Sequence, residues 1–305
     1  MSTPSQGERS RFWEELGEQD RHSLEDAGFD NIKRHAALHY FTWRWNLTAA
    51  VRSPQLRFLL RHTPPRVWYR AWREPDVSGA AWAHLDWSRR ERKVYTFATR
   101  LLWTYASEHG HSPTISLAEP RIGSPPPVEW DGRLISQDLA NSALELAFMA
   151  PALDGTPRSF LEVGAGYGRS AYALLSLYPN ATYTIVDIEP AIDISRWYLT
   201  QLFPPERLRF LSPDQTDSIG QVDVAVSISS LHEMLPETVE KYLNLFDRVA
   251  RAAYLKQWTR WHNPADDLHM SFAAYPFPSR WQRIRWDTAP VQTGFTEALF
   301  AIPQS

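Results

Sequence analysis

The chain has 305 residues, 43% of them hydrophobic and 22% charged, which is enough apolar material for two domains with a buried core. Its 32 basic and 35 acidic residues give a net charge of −3. This balance disfavours a nucleic-acid binder, because such proteins present a basic face to phosphates. The chain has no cysteine, so disulfides, thiolate metal sites and a cysteine nucleophile are excluded.

Residues 1–150 predict a mainly helical region. Apolar side chains recur near helical spacing in residues 31–47, 77–105 and 137–149, and Ser53-Pro54 predicts a helix start. This half holds 9 of the 14 tryptophans, which indicates either core packing or an aromatic-lined pocket for a ring-shaped substrate. We expect this region to cover substrate or to form a homodimer, with a candidate lid made of Trp13, Tyr40, Trp43 and Trp45.

The pattern changes after a turn-rich break at residues 151–157. Apolar strands then alternate with amphipathic helices, which predicts a mostly parallel sheet of the Rossmann-like α/β class with helices on both faces. We therefore expect a second domain over residues 151–305. Its predicted strands are 159–163, 182–187, 208–211, 222–228, 252–256 and 294–301, and its predicted helices are 169–177, 191–203 and 236–249.

A glycine-rich segment, Glu162-Val163-Gly164-Ala165-Gly166-Tyr167-Gly168, joins the first of these strands to a helix. Glycines permit a tight turn and let a ligand approach the backbone. Arg169 stands where a dinucleotide fingerprint requires Gly or Ala, and the Gly-Lys-Ser/Thr of a phosphate loop is absent. Asp187 ends the next strand, where a ribose diol is bound. An acid, three alternate glycines and an acid predict S-adenosylmethionine, which has an amino acid and a ribose but no phosphate.

This segment resembles the glycine loop of the class I S-adenosylmethionine-dependent methyltransferases. The resemblance implies that Gly164, Gly166 and Gly168 line the amino-acid end and ribose of the cofactor, and that Asp187 binds the ribose hydroxyls. We place five further residues in the same predicted cofactor site: Glu162, Ala165, Tyr167, Ile188 and Ser229.

Further segments carry a narrower resemblance over residues 115–305. They are 136–142, 183–190, Ser229-Ser230-Leu231-His232-Glu233-Met234, Leu255-Lys256-Gln257-Trp258 and 295–300. Together they resemble the sugar O-methyltransferase family of natural-product pathways. The resemblance implies methyl transfer to a sugar hydroxyl of a small-molecule secondary metabolite.

His232 is the predicted general base for that transfer. It follows the fourth strand, at the sheet edge where ligands of α/β proteins bind. His232-Glu233 resembles the catalytic His-Asp pair of many small-molecule O-methyltransferases, so Glu233 is expected to orient the imidazole or to act as the base itself. The alternative is that His232 caps the following helix or packs in the core.

Weaker candidates lie in the loop after strand five and in the first half. His262 is a third catalytic candidate, beside Asp266 and Asp267, although a solvated loop is the favoured explanation of these residues. A metal site of His262, Asp266 and His269 is conceivable, but without a tight ligand pattern we expect no metal. Lys256 is expected to contact substrate or to form an ion pair. His35 and His39 share a helical spacing but have no third ligand.

Three functions remain open from the sequence. The first is O-methylation of a sugar hydroxyl, and the second is C- or O-methylation of an aromatic substrate such as an indole or a phenol. The third is a non-enzymatic module, against which the glycine loop and His232 argue. We expect a cytoplasmic protein with a small-molecule acceptor and without nucleic-acid or membrane partners, because no signal-peptide pattern or run of 18 apolar residues is found.

Overall fold

The computed structural model describes residues 28–34, 52–82, 85, 87–263 and 265–304, together with Arg11, Glu18 and Arg21. These residues form two compact units. One unit contains the described part of 148–289 and 294–304 with the three isolated residues, and the other contains the described part of 28–147 with 290–293. Within the described part of the chain, no helix combines the length and apolarity that a membrane span needs.

The unit that precedes residue 148 is mainly helical, as the sequence predicts. Its helices are α1 (Pro54–His62), α2 (Pro65–Arg73), α3 (Arg89–His109) and the short α4 (Ser112–Ile115), followed by the hairpin strands β1 (Val128–Trp130) and β2 (Arg133–Ile135). Ser53 caps α1 by accepting a hydrogen bond from the Leu56 N–H, which confirms the predicted helix start. The predicted helix over 77–105 is wrong before residue 89, where Ser88 and Glu91 form a capping box that begins α3.

Helix α5 (Gln137–Leu153) continues through Pro151, so the predicted break begins later than expected. The elements that follow are β3 (Ser159–Val163), α6 (Arg169–Leu177), β4 (Thr182–Val186), α7 (Ala191–Thr200), β5 (Leu208–Leu211), β6 (Val222–Ile228), α8 (Pro236–Val249), β7 (Ala250–Trp258), β8 (Arg260–Asn263), β9 (Leu268–Ser271), β10 (Gln282–Thr288) and β11 (Phe295–Ala301). The predicted strands and helices of this half are therefore confirmed within a few residues. Three strands that the sequence did not predict, β8, β9 and β10, are added.

The central sheet has seven strands in the order β10-β11-β7-β6-β3-β4-β5. Strands β3 to β7 are parallel, β11 runs antiparallel to β7, and β10 runs antiparallel to β11. The central strands β3, β6, β7 and β11 are mostly buried, as expected where helices cover both faces of a parallel sheet, whereas the edge strand β10 is largely exposed. The predicted Rossmann-like α/β class is confirmed.

The sheet order decides where a site can form. Strand β3 lies between β4 and β6, so the chain leaves β3 towards β4 and later returns to the other side of β3. Such a reversal of strand order opens a crevice at the carboxyl ends of the strands. The segments that follow β3, β4 and β6 meet at this edge.

Candidate functional site

The glycine loop follows β3 and lies against the segment that follows β6. Gly164 has a left-handed φ of 75°, and a Cβ placed there would lie 2.0 Å from Ser230 Oγ and 2.3 Å from Ser230 Cβ. Only glycine permits this approach, because any side chain would overlap Ser230 close to its backbone. The two segments at the crevice are therefore packed directly against each other.

Asp187 connects the glycine loop to the end of β4. Its buried carboxylate accepts a hydrogen bond from the Gly166 N–H at 3.2 Å and another from the Ile188 N–H at 2.8 Å. A Cβ on Gly166 would meet no atom within 4 Å, so this turn borders open space. These two hydrogen bonds hold the carboxylate of Asp187 beside the turn.

The remaining predicted cofactor residues lie in the same loop and strand. Glu162 is buried and accepts a hydrogen bond from the Tyr183 hydroxyl at 2.8 Å. The Ala165 carbonyl accepts from the Gly168 N–H at 3.0 Å, and Gly168 is the N-cap of α6. The Tyr167 ring packs edge-to-face on Tyr198. The structure thus brings the whole predicted set to one edge of the sheet, and its role in cofactor binding stays a prediction.

His232 lies in a short 3₁₀ turn after β6 and is 1% exposed. Its Nδ1 is 3.0 Å from the Oε1 of Gln257, which lies on the neighbouring strand β7. Its Nε2 is 3.6 Å from Glu233 Oε1. The Trp261 ring packs edge-to-face on the imidazole at 5.0 Å between centroids. The predicted His-Glu pair is therefore side by side, between a fixed amide and an indole.

Burial lowers the pKa of His232 to about 4, although the hydrogen bond to Gln257 acts in the opposite direction. Desolvation penalises the charged imidazolium, which explains the dominant effect. The imidazole is consequently neutral across the physiological pH range and is in the form that accepts a proton.

Buried hydroxyl groups without a hydrogen-bond partner among the described residues occur near His232. They are those of Ser229, Ser230 and Tyr275. Burial raises the pKa of Tyr275, and the nearby Glu233 carboxylate raises it further. Buried polar groups are nearly always hydrogen-bonded in folded proteins, so these hydroxyls would take an ordered water or a ligand atom as partner.

His262 occupies a different environment. It lies in β8 next to Trp261, and neighbouring strand residues point to opposite faces, so it points away from the face on which Trp261 contacts His232. Its half-exposed ring stacks on His269 of β9 at 4.2 Å and approaches Asp267 Oδ1 at 3.5 Å. The structure does not bring its side chain into contact with the His-Glu pair, and its catalytic role stays a prediction.

One group of possible metal ligands comes together among the described residues, and it differs from the combination considered above. It contains His262, Asp267 and His269, all exposed, with ligand atoms within 4.8 Å of one another. Asp266 does not belong to it, because its carboxylate accepts from the Asn263 side chain and from the Arg11 N–H.

The other weak candidates divide into two classes. Lys256 is buried on β7 and is the cross-strand partner of the buried Glu297 on β11. This position is compatible with the predicted ion pair. The candidate lid residues and the two helical histidines lie outside the described residues; they are Trp13, Tyr40, Trp43, Trp45, His35 and His39.

The sequence did not assign a role to Gln257, Ser230, Tyr275 or Trp261. Gln257 and Ser230 lie inside segments that carried the family resemblance, and only that resemblance could have pointed to them as site residues. Tyr275 and Trp261 follow β7, in a region for which no strand was predicted. The contact of Trp261 with His232 and the electrostatic effect of Glu233 on Tyr275 depend on the fold and have no counterpart in local spacing.

The fold and the site can be compared with known proteins. No protein-family model matches the chain, and no curated protein does. Solved structures similar to it include a 1,6-didemethyltoxoflavin N1-methyltransferase from Burkholderia thailandensis with S-adenosylhomocysteine bound, at 18% identity and a TM-score of 0.42 over 54% of this chain and 80% of that one. A magnesium protoporphyrin IX methyltransferase from Synechocystis with S-adenosylmethionine bound has 14% identity and a TM-score of 0.42 over 55% and 83% of the chains.

A longer match is the mitomycin 7-O-methyltransferase MmcR, with 13% identity and a TM-score of 0.42 over 83% of this chain and 70% of that one. These identities and scores are low. They establish no function for this chain.

Proposed function

We propose that this protein is an S-adenosylmethionine-dependent methyltransferase that methylates a hydroxyl group of a small molecule, with a sugar as the acceptor. The observation that carries the proposal is the direct packing of the glycine loop at Gly164 against Ser230, two residues before the buried His232. A cofactor held by the loop would thus lie next to a candidate base. The net charge of −3 supports a small molecule rather than a nucleic acid as the acceptor.

The residues present fit a phosphate-free cofactor. Asp187 places a carboxylate, the group that would accept from ribose hydroxyls, beside the turn at Gly166, and that turn borders open space. The buried Ser229 hydroxyl has no partner among the described residues. When bound, S-adenosylmethionine supplies a methyl group on a positively charged sulfur. The buried acids Glu162 and Asp187 suit that positive charge and the amino group better than they suit a pyrophosphate.

His232 would take the proton of the acceptor hydroxyl. An alcohol has a pKa near that of water, about 15.7, and the ordinary imidazole pKa is about 6.5, so complete deprotonation before methyl transfer is too costly. The base must therefore accept the proton while the new bond forms, within hydrogen-bond distance of the hydroxyl. Glu233, 3.6 Å from Nε2, would stabilise the imidazolium as it appears.

A second candidate function is methylation of an aromatic acceptor. It is favoured by the paired indole rings of Trp258 and Trp261, 5.6 Å apart, the second of which contacts His232. Such rings stack on aromatic ligands as well as on the apolar faces of sugars. The two functions differ in the need for a base, because an indole carbon can attack without losing a proton first.

Calorimetric titration with S-adenosylhomocysteine tests cofactor binding. We expect saturable binding that weakens by about 10- to 100-fold in Asp187→Ala, because hydrogen bonds to a charged group contribute about 1.5–3 kcal/mol. The matched control is Asp193→Ala, an exposed aspartate on α7 that pairs with Arg196 and should leave the affinity unchanged. If wild-type protein releases no heat at high micromolar ligand, the chain is a module without this cofactor and the proposal fails.

The acceptor is identified by a separate screen. Sugars, indoles and phenols are offered with S-adenosylmethionine, and release of S-adenosylhomocysteine is measured. Turnover with sugars alone supports the proposed acceptor class, whereas turnover with indoles or phenols alone supports the second candidate.

A further inference from the structure

Gln257 is a buried amide at the carboxyl end of β7. It is fully buried, and its side chain contacts both β6 and the turn that carries His232. Its Nε2 donates to the Ser227 carbonyl at 3.1 Å and lies 3.3 Å from Ser227 Oγ. Its Oε1 accepts from the backbone N–H groups of Ser230 at 3.2 Å and His232 at 3.4 Å, and it faces His232 Nδ1 at 3.0 Å.

These partners fix the orientation of the amide. A backbone N–H only donates, so the atom that faces Ser230 and His232 must be the oxygen. A backbone carbonyl only accepts, so the atom that faces Ser227 must be the nitrogen. The flipped amide would place an NH₂ group against two donors and an oxygen against a carbonyl, with every one of these groups buried.

The amide orientation in turn fixes the imidazole. An amide oxygen cannot donate, so His232 Nδ1 must carry the hydrogen that lies between the two atoms. In a neutral imidazole only one nitrogen is protonated, and Nε2 is then the nitrogen with the available lone pair. Nε2 is also the atom next to Glu233, at 3.6 Å.

We infer that Gln257 is a positioning residue that holds His232 in its Nδ1–H tautomer and so makes Nε2 the proton acceptor. The inference deepens the proposed function and rests on it for the source of the proton, which is the acceptor hydroxyl. In the step, the hydroxyl O–H bond breaks, its proton moves to Nε2, and the oxygen forms the bond to the methyl carbon as the carbon–sulfur bond breaks. Glu233 then faces the new Nε2–H, while Gln257 continues to accept from Nδ1–H.

The neutrality of Gln257 has a chemical consequence. A carboxylate in its place would stabilise imidazolium strongly and raise the affinity of His232 for a proton. An amide orients the ring without supplying charge, so the ring keeps the low basicity that burial gives it. The geometry thus separates orientation, which Gln257 provides, from charge stabilisation, which Glu233 provides.

The test reads the tautomer directly. Long-range ¹H–¹⁵N NMR spectra of protein labelled at its ten histidines distinguish protonated from unprotonated ring nitrogens, and the His232→Gln variant identifies the His232 signals. We expect Nδ1 protonated and Nε2 unprotonated in the wild-type protein near pH 7. In Gln257→Met the preference should be lost. In Gln257→Glu the carboxylate still accepts, so Nδ1 should stay protonated, while Nε2 should lose its proton only at a higher pH than in the wild-type protein. An Nε2-protonated His232 in the wild-type spectrum overturns the inference and needs no variant to fold.

A matched control separates positioning from general damage. Gln137→Met removes another fully buried glutamine, which donates to Thr99 in the helical unit, and should leave the His232 signals unchanged. With an accepted substrate, Gln257→Met should lower kcat by about 100-fold with little change in KM or in S-adenosylhomocysteine affinity. Gln257→Glu should recover part of kcat only at a pH high enough to keep its His232 neutral, so its pH–rate profile should shift to higher pH. If the Gln257→Met protein folds and its His232 tautomer changes but kcat does not, the positioning role is also overturned.

The outcomes separate this inference from the proposed function. The tautomer is measured without turnover, so a chain that transfers no methyl group refutes the proposed function while the tautomer assignment stands. A chain that transfers methyl groups with the opposite tautomer refutes the inference alone.

Discussion

Different kinds of chemical group line the two sides of the crevice. On the β3–β4 side, backbone groups dominate: glycines form the turn, and Asp187 binds the N–H groups of Gly166 and Ile188. On the β6–β7 side, buried side chains dominate, and the hydroxyls of Ser229 and Ser230 have no partner among the described residues. Backbone groups suit a ligand that is the same in every reaction, such as the proposed cofactor. Side chains suit the recognition and activation of one particular acceptor. Substitutions on the two sides should therefore have different consequences.

The largest expected effect belongs to the β6–β7 side. His232→Ala removes the proposed base and should lower kcat for a hydroxyl acceptor by about 10²- to 10⁴-fold, the range that general acid–base catalysis contributes. Because the glycine loop is untouched, S-adenosylhomocysteine affinity should not change. Steady-state kinetics and calorimetry on the same preparation check both statements.

The same variant distinguishes the two acceptor classes. An aromatic carbon that attacks without prior proton loss should lose much less kcat in His232→Ala than a sugar hydroxyl does. Near-normal turnover with a sugar would refute the assignment of His232 as the base.

A second expected effect concerns pH. His232 has a pKa of about 4 in the folded chain and about 6.5 when unfolded, so the unfolded chain binds more protons between these values. The contribution of His232 to the free energy of unfolding is therefore fully present above pH 6.5. It decreases as the pH falls towards 4, by up to about 3 kcal/mol. Urea unfolding of wild-type and His232→Gln proteins from pH 4.5 to 8 should give a difference that grows with pH up to 6.5 and then levels off. A constant difference would contradict the low pKa.

The smallest expected effect tests the β3–β4 side. Gly164→Ala and Gly155→Ala both force alanine into a left-handed conformation, with φ of 75° and 93°, but a Cβ on Gly155 meets nothing within 4 Å. Gly164→Ala should be the more destabilising by about 1–3 kcal/mol, because its Cβ overlaps Ser230. Chemical denaturation measures the difference.

A double variant sharpens this last comparison. Adding Ser230→Gly to Gly164→Ala removes the overlap and should recover most of the excess loss. If Gly164→Ala and Gly155→Ala destabilise the protein equally, the close approach of the glycine loop to Ser230 does not restrict the residue at position 164.

The sequence predicts the buried strands better than the exposed ones. Apolar residues predominate in Ser159–Val163 and Val222–Ile228, and the limits of both strands were predicted correctly. Strand Gln282–Thr288 has arginines at two positions and is largely exposed, so no apolar period marks it. The start of α3 was predicted too early, because Trp82 and Leu85 are buried without belonging to it.

The candidate site shows the same limit. Sequence order is enough to bring Gly164, Asp187 and His232 to one edge, because parallel strands end on the same side of a sheet. It does not reveal Gln257, whose role depends on contacts with residues 25 to 30 positions away. It also grouped Asp266 with two histidines, although hydrogen bonds to Asn263 and Arg11 hold that carboxylate elsewhere.

The hydrogen bonds of Asp187 also bear on how quickly a ligand is captured. Its carboxylate is anchored by two amides before any ligand arrives, so it does not have to search through rotamers during an encounter. The conformational entropy of this side chain is therefore lost when the protein folds and not when a ligand binds. If Asp187 binds the nucleoside as proposed above, the ligand would meet a carboxylate that is already oriented, and its rate of capture should be governed by diffusion and access to the crevice rather than by loop rearrangement.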